Sequence, residues 1–270
     1  MRELSFLVTN DDGIDSPLLA ALVAALLAHG RVTVAAPRTE QSWIGKAISR
    51  HRELNVRASP HHFGCAAWEI DGTPADCVNL ALGNLVEQRP DMVVSGINMG
   101  SNAGLPLILA SGTIGGASEG AFHGLHALAT SIRMTKDDFA RAKTPGGQLS
   151  ENVAASVRVV ARRSAQLCEE IARKPRPKKF LVHNLNFPPG TNDDTPLVAT
   201  VPAAMHIGTL FRPTAATKNK EGTYAFTFAV GDEIPTTLRT DRATVEGGSA
   251  SHSVIDYGRL GLANGVDEAT

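Results

Sequence analysis

Residues 5–17 read Ser5-Phe6-Leu7-Val8-Thr9-Asn10-Asp11-Asp12-Gly13-Ile14-Asp15-Ser16-Pro17, an apolar and β-branched run that ends in two adjacent carboxylates and an Asp-Gly turn. LSFLVT (4–9) has the length and composition of a short buried strand. Past the turn, Ser16 suits a helix cap and Pro17 a first helical turn. LLAALVAALLAH (18–29) then predicts a near-continuous apolar helix ended by Gly30. RVTVAAP (31–37) predicts a second strand. A strand–helix–strand unit carries parallel strands. Ligands of open parallel sheets bind beyond the carboxyl ends of the strands. Asn10, Asp11 and Asp12 stand at such an end and are candidate site residues.

The rest of the chain extends the pattern. ELNVRA (53–58) and AAWEIDG (66–72) predict strands, and Thr73 caps a helix with Pro74 in its first turn that runs through CVNLALGNL (77–85). PDMVVSGIN (90–98) reads as a strand ending in small and polar residues, followed by a Gly-rich loop, MGSNAGLPLILASGT (99–113). An Ala/Gly-rich helix is expected from Thr113 to about His123, a strand over ALATSIR (127–133) and a long helix over 152–173. KKFLVHNLNFP (178–188) is expected to close the α/β part. Beyond Pro188 helical periodicity disappears, and TYAFTFAV (223–230) alternates as a hairpin strand does. The expected architecture is a three-layer α/β/α, Rossmann-like fold with a mostly parallel sheet. Residues 1–187 form its catalytic core and 188–270 a β-rich extension for pairing subunits.

Composition narrows the function classes. A chain of 270 residues, 43% hydrophobic and 20% charged, buries a large core as soluble globular proteins do. The formal net charge of −1 gives no electrostatic support for a nucleic-acid polymer, although a mononucleotide needs only one local phosphate site. Cys65, Cys77 and Cys168 are too few and scattered for a disulfide framework or a zinc site. With no signal core and no membrane-length apolar stretch, a cytoplasmic protein is expected.

Four strand-end segments carry the chemistry: Asn10-Asp11-Asp12, Ser42, Ser95-Gly96-Ile97-Asn98 and Ser111-Gly112-Thr113. Two carboxylates with the neutral oxygens of Ser42 and Asn98 form a hard-oxygen donor set, suited to magnesium, manganese or calcium. Carboxylates about 4 Å apart repel by roughly 4 kcal/mol at an effective dielectric of about 20, and a divalent ion removes the conflict. Ser111, Gly112 and Thr113 precede the small residues Gly115, Gly116 and Ala117, so the helix start has uncrowded N–H groups that suit an anion. A cation facing such a helix start is the layout of a metal-dependent phosphoester hydrolase. His61, His62, His123 and His126 are expected in surface or packing roles.

Five blocks also match a known pattern in order: LVTNDDGIDSPLLAAL (7–22), VAAPRTEQSWIGKAIS (34–49), DGTPADCVNLAL (71–82), PDMVVSGINMGSNAG (90–104) and ASGTIGGASEGAFHG (110–124). TDRATVEGGSASHSVID (240–256) echoes it more weakly. The chain thus resembles the survival protein SurE family of metal-dependent 5′-nucleotidases. The resemblance implies one divalent cation per subunit, Mn2+ or Mg2+, on Asp11, Asp12, Ser42 and Asn98, with Asp11 and Asp12 also as the catalytic pair. It implies phosphate contacts from Asn10, Asn102, Ser111, Gly112 and Thr113, nucleoside 5′- and 3′-monophosphates as substrates, some polyphosphate trimming, and a homodimer or homotetramer. The chain departs from the family at Arg38, where Asp is usual, at Trp43, where Gly follows the metal-binding Ser, and at Lys46, where His is frequent. Lys46 is a candidate phosphate contact or an exposed loop lysine.

Two rivals follow from the same residues. A haloacid-dehalogenase-type phosphatase needs Asp-x-Asp, whereas Asp11 and Asp12 are adjacent. A nucleotide- or phosphate-binding stress protein without turnover fits the altered second block and the His61/His62 region.

Overall fold

The structure, a computed structural model, describes residues 2–143 and 148–259. Residues 260–270 of the expected C-terminal extension lie outside them. The first unit is as the sequence spells it: β1 (Leu4–Thr9), α1 (Pro17–Leu26) and β2 (Gly30–Pro37), with β1 and β2 parallel. Ser16 occupies the cap position of α1, but its hydroxyl makes no capping bond. Gly30 does not end the helix as expected; it opens β2. A Cβ there would sit 2.3 Å from the Leu4 carbonyl oxygen, so glycine permits the close strand approach.

The chain continues through β3 (Val56–Ala58), β4 (Ala66–Ile70) and α2 (Pro74–Asn84) to β5 (Met92–Met99). Thr73 caps α2 in a full capping box: its hydroxyl accepts from the Asp76 N–H while the Asp76 carboxylate accepts from the Thr73 N–H. The expected Gly-rich loop contains a helix, α3 (Leu105–Ala110), with Pro106 in its first turn. Then come α4 (Gly112–Phe122), β6 (His126–Ile132), α5 (Lys136–Lys143), α6 (Glu151–Ala172) and β7 (Leu181–Phe187).

The sheet does not close at β7. Beyond Pro188 lie β8 (Leu197–Thr200), β9 (Met205–Ile207), β10 (Phe211–Pro213), β11 (Tyr224–Phe226), β12 (Val230–Glu233), a short helix α7 (Asp241–Glu246) and β13 (Ala250–Asp256). The main sheet runs β3-β4-β2-β1-β5-β6-β7-β13-β8, parallel from β4 to β7, with β13 antiparallel to β7. β13 also pairs parallel with β8. The β9–β12 and β10–β11 pairs build an arm outside this sheet. At its base the Val201 N–H donates to the Arg239 carbonyl and the Asp241 N–H to the Val201 carbonyl.

Helices cover both faces, giving the expected three layers. Phe6, Val8, Val34 and Met92 join the cluster beneath α1 and α6. The alternate positions Leu7, Ala35 and Val93 pack on the α2 face with Cys77 and Val78, as strand period requires. Cys77 and Cys168 are both buried. Among the described residues no helix is long and apolar enough to cross a membrane.

At the antiparallel seam, His183 Nδ1 lies 2.9 Å from His252 Nε2. Burial, reinforced by His252, Lys174 and His126, holds His183 down at about 4, and burial also lowers His252. A depressed histidine means that the unfolded chain takes up the proton first. Stability is therefore full above about pH 6.5 and falls as the pH drops from there towards 4. Denaturant unfolding of the wild type should lose on the order of 2 kcal/mol more than His183→Gln over that interval. Parallel stability profiles for the two proteins would show that the seam does not sense protons.

Candidate active site

The parallel strands run outward in two directions from β1: β2 and β4 lie on one side, and β5, β6 and β7 on the other. The switch point is between β1 and β5, where the crevice of an open α/β sheet opens. Asp11 and Asp12 follow β1 directly, and Asn98 lies at the end of β5. Gly13, at φ +97°, makes the turn, and the Asn10 side-chain amide donates to its carbonyl at 2.8 Å. Asn10 is fully buried behind this turn. The pairing of β5 with β6 shifts between Ser95 and Asn98. Such irregularities re-aim side chains beside sites. Gly96 (φ +135°) allows it, since a Cβ there would meet the Thr130 carbonyl oxygen at 2.3 Å.

A cleft of about 730 Å³ opens over this point, and Asp11, Ser42, Asn98, Asn102 and Ser111 all line it. Gly112 and Thr113 stand behind Asp11. The Thr113 hydroxyl donates to Asp11 Oδ1 at 2.6 Å, and the Thr113 backbone also bonds this carboxylate. The start of α4 thus points at Asp11, and Thr113 is itself fully buried. Ser111 caps α4, its hydroxyl accepting from the Ile114 N–H at 3.1 Å. A Cβ on Gly112 would come within 2.8 Å of the Asp11 Cβ. The Met99 N–H donates to Asp12 Oδ2 at 2.9 Å, which ties the two sides of the switch point together. Asn102 is locked by its N–H to Asn186 Oδ1 (2.7 Å) and its side-chain amide to Ser131 Oγ (3.0 Å).

The electrostatics single out Asp11. It is 4% exposed, and burial, followed by the Asp12 charge, pushes its carboxyl up to about 7 despite the Thr113 bonds. Among the described residues no basic side chain pairs with it. Asn10 Oδ1, buried next to it, has no hydrogen-bond partner. Asp11, Ser42 and Asn98 line the cleft, while Asp12 and the orphaned Asn10 oxygen stand behind that wall and do not line it; an oxygen set of this kind suits a hard divalent cation. Among the described residues no group of three or more His, Cys, Asp or Glu is placed to hold a metal ion, so neutral oxygens would complete such a set.

Of the three departures, only Trp43 faces the cleft. Lys46 turns to the buried Glu119, with Nζ 2.5 Å from Oε2, and lies over the Phe122 ring. Arg38 Nε lies 3.6 Å from Glu69. His61 pairs with Asp15, His123 with Glu119, and His126 with the Lys174 carbonyl; none lines the cleft. Sequence reasoning missed the opposite walls: Arg133, Lys136 and Phe139 after β6, and Phe226, Phe228 and Arg242 from the arm region. The period-two pattern of TYAFTFAV places Phe226 and Phe228 on one face, but nothing local says where that face goes.

A family model described as survival protein SurE matches residues 6–207. A 5′-nucleotidase SurE from Methanosarcina acetivorans is 34% identical over 194 residues, covering 72% of this chain and 70% of that protein. One from Rhodopirellula baltica is 39% identical over 205 residues, covering 75% and 73%. The crystal structure of the SurE protein from Aquifex aeolicus matches with a TM-score of 0.70 at 26% identity, over 96% of this chain and 95% of that one. With the family pattern spanning the switch point and everything that lines its β1, β5 and α4 walls, the chain belongs to the survival protein SurE family.

Proposed function

We infer that the protein is a metal-dependent phosphomonoester hydrolase, a 5′-nucleotidase that cleaves nucleoside 5′- and 3′-monophosphates and trims short polyphosphate. The observation that carries this reading is the adjacent Asp11–Asp12 pair at the β1/β5 switch point, with the start of α4 aimed at Asp11 where that carboxylate lines a nucleotide-sized cleft. Asp11, Asp12, Ser42 and Asn98 would hold one Mg2+ or Mn2+. When bound, that ion would supply charge neutralisation at the phosphoryl oxygens and acidify an attacking water.

The chain's own residues do the rest. Thr113 fixes the Asp11 carboxylate in one orientation, so that it serves as a positioned proton acceptor as well as a ligand. Arg133 and Lys136 give the cleft positive charge that draws in an anionic substrate, whereas Arg242 is paired with Glu246 on the same wall. Ser111 and Asn102 present polar atoms where the phosphate would lie. Exposed Phe211, Tyr224 and Leu238 make the arm the surface for assembly into a dimer or tetramer, a state that light scattering reads directly.

The test is a panel of 5′- and 3′-monophosphates and polyphosphate against magnesium, manganese and calcium. Phosphate release from adenosine monophosphate should drop at least about 100-fold with chelator and return when metal is restored. Binding of nucleotide without release under any of these ions would instead mark a non-catalytic binding protein.

A further inference from the structure

We propose that Trp43, together with Phe226 and Phe228, forms a stacking platform for the base of the nucleotide, and so sets a preference for nucleotides over phosphomonoesters that lack a flat ring. The proposal rests on the hydrolase reading above and names the part of the substrate that the rest of the cleft takes.

Trp43 sits in the left-handed region at φ +63°, a conformation that glycine adopts freely and a bulky side chain does not. Such a residue persists where its surroundings hold it. What holds Trp43 is the arm: its ring packs edge-to-face on Phe226 (centroids 5.1 Å, 62°) and on Phe228 (5.9 Å, 67°). This contact does not make a core. The three residues remain 37%, 47% and 58% exposed, and all three line the same cleft as Asp11 and Asn98. Edge-to-face packing fixes the rings against one another and leaves ring surface open to a planar guest.

Position supplies the second half of the argument. Trp43 is the next residue after Ser42, one of the candidate metal ligands, so the aromatic wall begins where the phosphate end stops. A planar group attached to a phosphate seated against Ser111 and Asn102 then lies against carbon and ring surface rather than against charge. Nucleobases are such groups. Aromatic stacking accepts any of them because it reads the π-face and not the hydrogen-bonding edge.

The test compares kcat/KM for adenosine monophosphate and ribose 5-phosphate, with manganese, in the wild type, Trp43→Gly, Trp43→Phe and Phe228→Ala. Trp43→Gly should lose on the order of 10- to 100-fold on adenosine monophosphate, mostly in KM, and at least tenfold more than on ribose 5-phosphate. Phe228→Ala should shift the ratio in the same direction, and Trp43→Phe should keep most of the preference. A disturbed metal site would lower both substrates equally, so an unchanged ratio overturns the proposal while leaving the hydrolase standing. A second readout needs no turnover. Trp43 and Trp68 are the two tryptophans, so in a Trp68→Phe background adenosine should quench Trp43 emission saturably in the presence of chelator, and ribose should not. If neither ester is hydrolysed, the hydrolase reading fails, and this quenching alone decides for or against the platform.

Discussion

Asp11→Asn is expected to abolish phosphate release, with a fall in kcat on the order of 10³-fold or more, in a protein that is folded and at least as stable as the wild type when metal is absent. The two halves have one cause. Asp11 is buried beside another carboxylate, and this pushes its carboxyl up to about 7. A raised carboxyl means that the folded chain without a cation loses stability as the pH rises from about 4 through 7, because ionisation is costlier in the fold than in the unfolded chain. Asparagine keeps the shape and an acceptor for the Thr113 hydroxyl while removing the charge. Thermal unfolding in chelator should therefore show a melting temperature equal to the wild type or a few degrees higher, whereas the rise on adding manganese should vanish. Retained turnover with the manganese-induced rise intact would refute both the ligand and the catalytic roles of Asp11.

The second large effect comes from a residue that touches no substrate. Gly115 lies in the first turns of α4, and a Cβ there would fall 2.3 Å from the Gly45 carbonyl oxygen and 3.1 Å from the Lys46 Cα. Both obstacles are backbone, so Gly115→Ala must displace the 42–46 loop or α4 itself. That loop is tied to the site by the Gln41 N–H on the Asp11 carbonyl (2.7 Å) and the Gly45 N–H on the Ala110 carbonyl (2.9 Å). Overpacking of this kind costs about 1–3 kcal/mol. A displacement near 1 Å at Ser42 costs on the order of 10²-fold in turnover. Gly83→Ala in α2 is the matched control, since a Cβ there meets nothing within 4 Å and alanine favours the helix. Equal activity and melting temperature in the two variants would mean that α4 and the loop do not need their close approach.

What the sequence disclosed followed from how local each signal is. The strand, turn and helix of residues 4–26 and the capping box of Thr73 and Asp76 lie within a few residues of their own causes, so pattern alone places them. The helix α3 was hidden because glycines and serines surround a six-residue apolar stretch that has one proline. β13 was hidden because its pairing partner, β7, lies about 70 positions earlier, and the alternation in ASHSVID is weak. The site divides in the same way. Asp11, Ser42, Asn98, Asn102 and Ser111 sit at ends of recognisable elements and meet in one cleft. Thr113 was legible as a hydroxyl at a helix start, but its use, holding Asp11 rather than facing the cleft, depends on side-chain geometry that no spacing encodes. The aromatic and cationic walls come from the segment after β6 and from the arm, whose approach to β1 is purely tertiary.

The arm has its two ends fastened side by side: the backbone of Val201 bonds to both Arg239 and Asp241, and the Asp241 carboxylate accepts from the Ala203 N–H at 2.8 Å. Inside the neck that these bonds close, Ala203 and Met205 are buried, the Ala203 carbonyl accepts from the Leu105 N–H, and β9 pairs with β12, so residues 208–229 are the insertion proper. The entropy of closing a longer or shorter loop on such a neck changes by only about 0.6 kcal/mol per doubling of length. The wall carried by Phe226 and Phe228 can thus be swapped, trimmed or extended while the strand register that presents Asp11 stays put. For protein engineering, this makes residues 208–229 an exchangeable cassette: grafts from relatives with other arm sequences would vary leaving-group preference on a constant phosphate-cleaving base.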